Sequence, residues 1–418
     1  MAKEVSEEVK ERTLRFLQDL IRIPSTRGNE GPASRFVWEQ MQPFVDECRL
    51  VEIDDRIMQD PDYAFPLPGH SYKDTPNVEC MIHGQGNGRR IVFNAHLDVV
   101  PPSEGQANPF EPRFENGIVY GRGACDDKGQ AASLFALAQL IHERGVRPPG
   151  DLVFHFVVEE ENGGNGTLAM IRRGVRADAA IILEGSNLAI LPAVRGAIWF
   201  ELKVFGRAGH SGNVVDRVSA LDKAFQAIEI LKRYHDRLLA ESRHLPLFDT
   251  FPDPMPLTIG QCTAGKWPAS VPAEATLKGL LGFLPNCNRF EVQEGLRNAL
   301  LTEGDEWLRE NFELTFPMLN SDGNSLPVDH PLVTTLARAV AENDIPVRIS
   351  AMPAACDAWW YNNQAGIPTV VFGPGELIHA HSKDEQIRFE DVLKAAVILL
   401  DFAGDYCQVW QTDKHTGW

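Results

Sequence analysis

Residues 90–100 read Arg90-Ile91-Val92-Phe93-Asn94-Ala95-His96-Leu97-Asp98-Val99-Val100. From Ile91 to Ala95 the run is apolar except at Asn94, which is the pattern of a strand buried on both faces. Leu152–Val158, Ala179–Leu183 and Gly366–Gly373 repeat it, the last followed by the turn Pro374-Gly375. Helical spacing of apolar residues lies around these runs. Residues 5–22 place Val5, Val9, Leu14, Leu17, Leu20 and Ile21 on one face until Pro24 stops the pattern. Residues 127–144 and 389–406 predict two more helices. Strands apolar throughout and alternating with helices predict an α/β layered domain, with a mostly parallel central sheet and helices on both faces.

The middle of the chain has a different rhythm. Ala197–Phe205 alternates apolar and polar, as a half-exposed strand does. After it come an amphipathic helix (219–239), two strands (257–261 and 275–284), a helix (289–301) and a strand (312–317). The order β-α-β-β-α-β predicts a ferredoxin-like α+β insert over 193–317. It splits the catalytic domain into 1–192 and 318–418. The proline-rich stretch 61–76 reads as a surface loop.

Composition removes several classes of partner. A formal charge of −18 repels nucleic acid and anionic membranes. No run of about 18 apolar residues predicts a membrane span. The N-terminus lacks the apolar core of a secretory signal. Seven scattered cysteines, Cys48, Cys80, Cys125, Cys262, Cys287, Cys356 and Cys407, form no C-x-x-C pair. Reduced thiols in a cytoplasmic protein are the expectation.

The candidate chemistry sits where apolar runs end. His96 and Asp98, two apart on a strand, face the same way. That suits a metal-ligating imidazole held by a carboxylate, and equally a packed buried pair. Asp126-Asp127 follows Gly121 and Gly123, where a helix N-cap or a carboxylate shared by two cations are both open. Glu159-Glu160-Glu161 follows the run 152–158, and three carboxylates at a buried strand end repel one another unless a positive charge is near. Adjacent glutamates can divide two tasks, one ligating a metal and one taking a proton from water. Glu184 ends another apolar run, at the strand end where α/β sites form. His379 and His381 flank Ala380. Together this is the inventory of a hydrolytic two-metal site, although each signal alone has a plain structural reading.

With these residues on the page, the chain resembles the zinc-dependent deacylase and exopeptidase family that includes acetylornithine deacetylase, succinyl-diaminopimelate desuccinylase, carboxypeptidase G-type enzymes and aminoacylases. The matching segments are 94–101, 121–129, 160–167, 183–185, Gly206–Ser211 and the Gly373-Pro374-Gly375 turn followed by Ala380-His381. The resemblance implies that Asp126 bridges two metals. His96 and Glu184 would complete one, and Glu161 and His381 the other. It makes Glu160 the general base, Asp98 the holder of His96, and His210 a residue that reaches across a homodimer, formed through the insert, to polarise the substrate carbonyl. A cis peptide after Asp126 is implied too. The activity implied is cleavage of a C–N amide bond in a small molecule by water activated between two divalent cations. Zn suits histidine plus carboxylates, and Mn or Co could serve.

Two departures bear on the substrate. Many relatives carry an arginine where Trp359 stands in Cys356-Asp357-Ala358-Trp359-Trp360-Tyr361, and that arginine grips an α-carboxylate. Tryptophan cannot replace a bidentate guanidinium. The insert's usual Asn-x-x-Pro here reads Ala269-Ser270-Val271-Pro272. Asp357, Trp359 and Trp360, with Trp267, are therefore candidates for an aromatic substrate pocket, or else for core packing. A hydrolytic deaminase of an aromatic amine, a formylaminopyrimidine deformylase and a dipeptidase or carboxypeptidase stay open at the same site. The retained Glu160 and the full ligand set speak against a non-catalytic scaffold.

Overall fold

In the computed structural model, residues 5–86, 88–210, 212 and 216–408 are described. The strand Ile91–His96 lies in the middle of a nine-stranded sheet. It pairs in parallel with Leu152–Val157 on one side and Ala179–Ile182 on the other. Thr369–Val371 continues the parallel run beside Ala179–Ile182. Antiparallel strands flank this centre. Asn77–Ile82 and Glu47–Val51 extend one side, and Ile190–Val194 the other.

Alternation along the inner strands explains why both faces are covered. Ile91, Phe93 and Ala95 enter one core with the helices Glu7–Ile21, Lys128–Arg144, Pro331–Glu342 and Phe389–Tyr406. Val92, Val153, Ala180 and Ile182 point the other way, onto Leu168, Ile171 and the Trp359–Tyr361 segment. Burying an aliphatic side chain on either face contributes about 1.5–3 kcal/mol, so a polar residue is costly in these strands unless it has partners. The first helix starts at Ser6, whose side chain accepts the Val9 N–H, and ends at Arg22, before Pro24. Lys128–Arg144 is buried nearly all round and closes on Gly145 at φ 59°, a left-handed cap that glycine takes without a Cβ penalty.

At Arg195 the chain passes from Ile190–Val194 into Gly196–Phe205, the centre of a second sheet. Ile198, Phe200, Leu202 and Val204 are buried there, alternating with residues that are not. The sheet order is Leu257–Ala264, Glu274–Phe283, Gly196–Phe205, Phe312–Thr315, all antiparallel. Helices Ala220–Ser242 and Arg289–Glu303 complete a separate core. The main elements run β-α-β-β-α-β, with additions: a short helix at Glu306–Glu310 and a two-stranded sheet of Gly209–His210 and Ser270–Val271.

Two expectations need correction. Cys48 and Cys80 face each other across the antiparallel pair, Cα atoms 4.0 Å apart, and form a disulfide. The all-thiol expectation failed because strand register, not sequence spacing, brings them together. The other five cysteines are free. Secondly, the stretch 61–76 is only partly surface. Tyr72 is fully buried and Ala64 nearly so, because side chains near the strand ends hold this loop inward, as described below. Among the described residues no helix is long and apolar enough to cross a membrane.

Candidate active site

Parallel strands deliver their carboxyl ends to one edge of the sheet. His96 is the last residue of its strand, Glu160 and Glu161 follow Leu152–Val157, and Glu184 follows Ala179–Ile182. Asp126 and Asp127 enter the same edge just before helix Lys128–Arg144, and the peptide between them is cis. His381 arrives from the turn after Leu377–His379, whereas His379 stays in that turn.

Asp126 is the shared member. His96 Nε2 lies 2.9 Å from Asp126 Oδ1, and His381 Nε2 lies 3.2 Å from Asp126 Oδ2 and 2.9 Å from Glu161 Oε1. Two groups of side chains could each hold a cation: His96, Asp126, Asp127 and Glu184, and Asp126, Glu161 and His381. Within each group the ligand atoms lie within 4.8 Å of one another. The sequence left Asp127 open as a helix cap and did not foresee it among the possible ligands. It occupies the N-cap position yet makes no side-chain cap bond. Its Oδ2 accepts the His96 N–H at 2.9 Å, and its Oδ1 has no partner among the described residues.

The electrostatics fit divalent cations. Burial pushes Glu160, Glu184 and Asp127 well above the usual carboxylate range, and nearby carboxylates add to it. Glu161 is pushed up to about 7 by burial and then by Asp126. For Asp126, hydrogen bonds from His381 and His96 outweigh burial and hold the carboxyl low. His381 is pushed up to about 10 by its hydrogen bonds to Asp126 and Glu161. His96 is raised in spite of its burial, with Asp127, Asp126 and Asp98 as the causes. Five carboxylates share two imidazoles in a largely buried setting, with His381 at its exposed rim. Crowding of that kind is relieved by added positive charge, and imidazole with carboxylates is the donor set of zinc and its neighbours.

A surrounding layer fixes this cluster. Asp98 accepts the backbone N–H groups of Glu160 and Glu161, both at 3.0 Å. His96 Nδ1 is 3.0 Å from the Asp98 carbonyl and 3.4 Å from its carboxylate. Asp98 thus steadies His96 chiefly through its backbone, and uses its carboxylate on the glutamate turn. Glu385 accepts the N–H groups of Cys125 and Asp126 at 3.1 Å each and pairs with buried Arg122. Sequence reasoning missed both residues.

Asp357 Oδ2 accepts from Thr167 at 2.6 Å and Asn94 at 3.1 Å. Trp359 and Trp360 are buried with ring centroids 4.0 Å apart. Beside the cluster is a cavity of about 490 Å³, whose walls include Glu160, His381, Phe65, Trp199, Asp357 and Trp359. Trp267 does not join them: it is 69% exposed. His210 is exposed on the short strand Gly209–His210, where its Nδ1 accepts the Gly212 N–H. Among the described residues it makes no bond to the acidic cluster. Ser211 lies outside them.

The profile of Peptidase family M20/M25/M40 matches residues 92–405. The chain is 30% identical over 362 residues to the N-formyl-4-amino-5-aminomethyl-2-methylpyrimidine deformylase of Bacillus subtilis, covering 80% of this chain and 84% of that protein. It is 25% identical over 353 residues to an acetylornithine deacetylase of Pasteurella multocida, covering 82% and 86%. A solved tripeptidase from Staphylococcus aureus superposes with a TM-score of 0.75 at 18% identity, over 95% of this chain and 98% of that one. An M20 metallo-carboxypeptidase from Sulfolobus solfataricus gives 0.74 at 17% identity, over 96% and 99%. At such identities the two structures speak for the fold.

Proposed function

The chain belongs to Peptidase family M20/M25/M40, and we propose that it hydrolyses the C–N bond of a small-molecule amide at the cluster centred on Asp126. The observation that carries this reading is Asp126 itself, shared between two acid–histidine groups. His96, Asp126 and Glu184 would hold one divalent cation, and Asp126, Glu161 and His381 the other. Zn is the first candidate, with Mn or Co as substitutes. When bound, the pair supplies the Lewis acidity that activates a water and polarises an amide carbonyl.

The rest of the work belongs to protein groups. Glu160 stands in the cavity wall, and its backbone is fixed by Asp98. Its carboxylate takes a proton from the attacking water and returns it to the leaving nitrogen. Asp127 orients the His96 backbone. We assign His210 to oxyanion stabilisation in a partner subunit's site, with residues 193–317 as a ferredoxin-like lid and dimerisation insert. Trp359, buried in the wall, favours substrates without a free α-carboxylate. The same wall keeps hydrolytic deamination of an aromatic amine as the second reading.

The test is a panel of N-formyl and N-acyl amines, N-acyl amino acids, dipeptides and aromatic amines. Each is assayed on full-length protein before and after chelation and after metal restoration. Amide cleavage lost on chelation and regained with Zn, Mn or Co is expected. Cleavage untouched by exhaustive chelation would sink the reading.

A further inference from the structure

The cavity lies between two cores, so its width depends on what holds them together. Glu160, Asp357 and Trp359 line it from the side of the first sheet, and Ala197, Trp199 and Leu280 from the second. The chain crosses between the sheets at Arg195 and returns at Asp322-Gly323. The two crossings lie side by side: Asn320–Ser321 pairs with Ala197 and Ile198, and Asn324–Ser325 with Ala193 and Val194. A Cβ added to Gly196 would lie 2.8 Å from the Gly323 nitrogen, and one added to Gly323 would lie 3.1 Å from the Gly196 nitrogen. Paired crossings at two bare glycines make a hinge. They leave the angle between the cores to other contacts.

Arg289 supplies such a contact. It opens the helix Arg289–Glu303 of the second core and is 8% exposed. A cation in a helix's first turn works against the helix dipole, so its contacts must outweigh that. Arg289 Nη2 donates to Asp62 Oδ1 at 2.6 Å, and Nη1 to the Asn320 carbonyl at 2.8 Å. The guanidinium lies 5.2 Å from the centroid of the Trp359 ring. A planar guanidinium can pair with a carboxylate and stack on a ring at once. One side chain therefore grips a loop of the first core, the cavity wall and the hinge strand.

Asp62 is a firm post. Arg172 pairs with it at 2.7 Å, and its loop is tied to Glu159, the glutamate given no task in the mechanism. Arg27 Nε donates to Glu159 Oε1 at 2.8 Å, and Nη2 to the Phe65 carbonyl at 2.7 Å. Asn165 brackets the backbone of Ala64 with two bonds of 3.0 Å and donates to Glu159 Oε2 at 2.8 Å. The Tyr72 hydroxyl donates to the same oxygen. Glu159 is buried, and three donors are the condition under which such a charge is tolerated. Three residues beyond Asp62, the Phe65 ring meets Trp199 edge to face, centroids 5.2 Å apart, a second contact across the gap.

We propose that Arg289 and Asp62 form a latch, seated on Trp359, that sets the width of the cavity and with it the bulk of the substrate the site accepts. Both are positioning residues that act through the walls. The proposal deepens the amide-hydrolase reading and rests on it for the bond that breaks.

The experiment compares full-length, metal-loaded wild type with Arg289→Ala, Asp62→Asn and their double variant. Lys223→Ala is the control: it removes an ion pair to Asp305 inside the second core and leaves the gap alone. The formyl and 4-phenylbutanoyl amides of benzylamine share a leaving amine and differ in bulk. Wild type should favour the formyl amide in kcat/KM. Each latch variant should shift that ratio toward the bulky amide by at least ~10-fold, and the double variant no further than the larger single shift. Lys223→Ala should keep the wild-type ratio. A variant that merely loses active protein lowers both amides equally, so an unchanged ratio in Arg289→Ala would overturn the proposal, as would additive shifts or a wild type indifferent to bulk. If Arg289→Ala does not fold, Asp62→Asn carries the test. Small-angle scattering without substrate reads the gap apart from catalysis. A larger radius of gyration in the latch variants than in wild type and Lys223→Ala is expected, and equal radii would overturn the latch. Larger radii with no amide cleaved by wild type would instead overturn the hydrolase reading and leave the latch standing.

Discussion

Replacing Asp98 by asparagine keeps the size of a buried side chain and changes only its charge and hydrogen-bonding pattern. The native carboxylate accepts two backbone N–H groups, from Glu160 and Glu161, at 3.0 Å each. Asparagine has one acceptor oxygen, so its NH₂ must face the second N–H. A buried donor left unpaired costs about 1–3 kcal/mol. The bond that survives loses its charge assistance, which is roughly half the strength of such a bond. Together these predict a metal-free protein destabilised by about 2–4 kcal/mol. The Glu160–Glu161 turn also loosens, and the carboxylate 3.4 Å from His96 Nδ1 is gone. The Asp98 carbonyl that holds His96 Nδ1 stays in place, so the loss of metal affinity, about 10–100-fold for a group that orients a ligand, comes through the Glu160–Glu161 turn. Urea unfolding of the metal-free protein gives the first quantity, and competition against a calibrated chelator gives the second. Asp98→Asn with wild-type stability and wild-type metal affinity would refute the assignment of Asp98 as the clamp of this turn.

Two further predictions concern groups just behind the site. Glu30 is fully buried with neither oxygen partnered among the described residues, and burial, then the charge of Asp98, pushes its pKa up to about 8. A folded-state pKa above the unfolded one means that the folded protein keeps the proton, so this contribution is full below about pH 4 and is lost as pH rises toward 8. Glu30→Gln should flatten that slope and be more stable than wild type at about pH 8, by a few kcal/mol at most. Parallel pH-dependent melts of wild type and variant contradict this. Gly164 sits at φ 75°, and an added Cβ would lie 2.2 Å from Trp360 Nε1 and 2.5 Å from Asp357 Oδ1. Gly164→Ala should therefore lose at least about 2 kcal/mol from backbone strain and overpacking. An unchanged denaturation midpoint would show that the tryptophan segment yields freely.

How much of this was legible in the sequence depended on how far each signal had to travel. The strand through His96 could be read because burial on both faces leaves a continuous apolar run. The insert's strand 196–205 could be read because one face is solvated and alternation survives. The strand Asn77–Ile82, second from the edge of the sheet, gave no such sign, as Asn77, Glu79 and Cys80 interrupt it. The candidate ligands were readable as a group because each ends a strand or follows a glycine turn. Glu385 was invisible: it lies 259 residues from the Asp126 N–H that it accepts. Asp127 looked like a helix cap and instead braces His96. Glu159 looked surplus, since its partners Arg27, Tyr72 and Asn165 meet only in three dimensions. The cross-strand Cys48–Cys80 pair was hidden for the same reason.

Metal stoichiometry joined to catalysis in one variant tests the central claim most directly. Full-length wild type and Glu160→Gln are stripped, titrated with Zn, and assayed on the best amide of the panel. The account predicts two ions per chain in both proteins, with activity in wild type rising with metal loading. It also predicts a loss of at least ~100-fold in kcat for Glu160→Gln, as removal of a general base requires. Fewer than two ions in wild type, or a Glu160→Gln enzyme that still turns over near the wild-type rate, would contradict it.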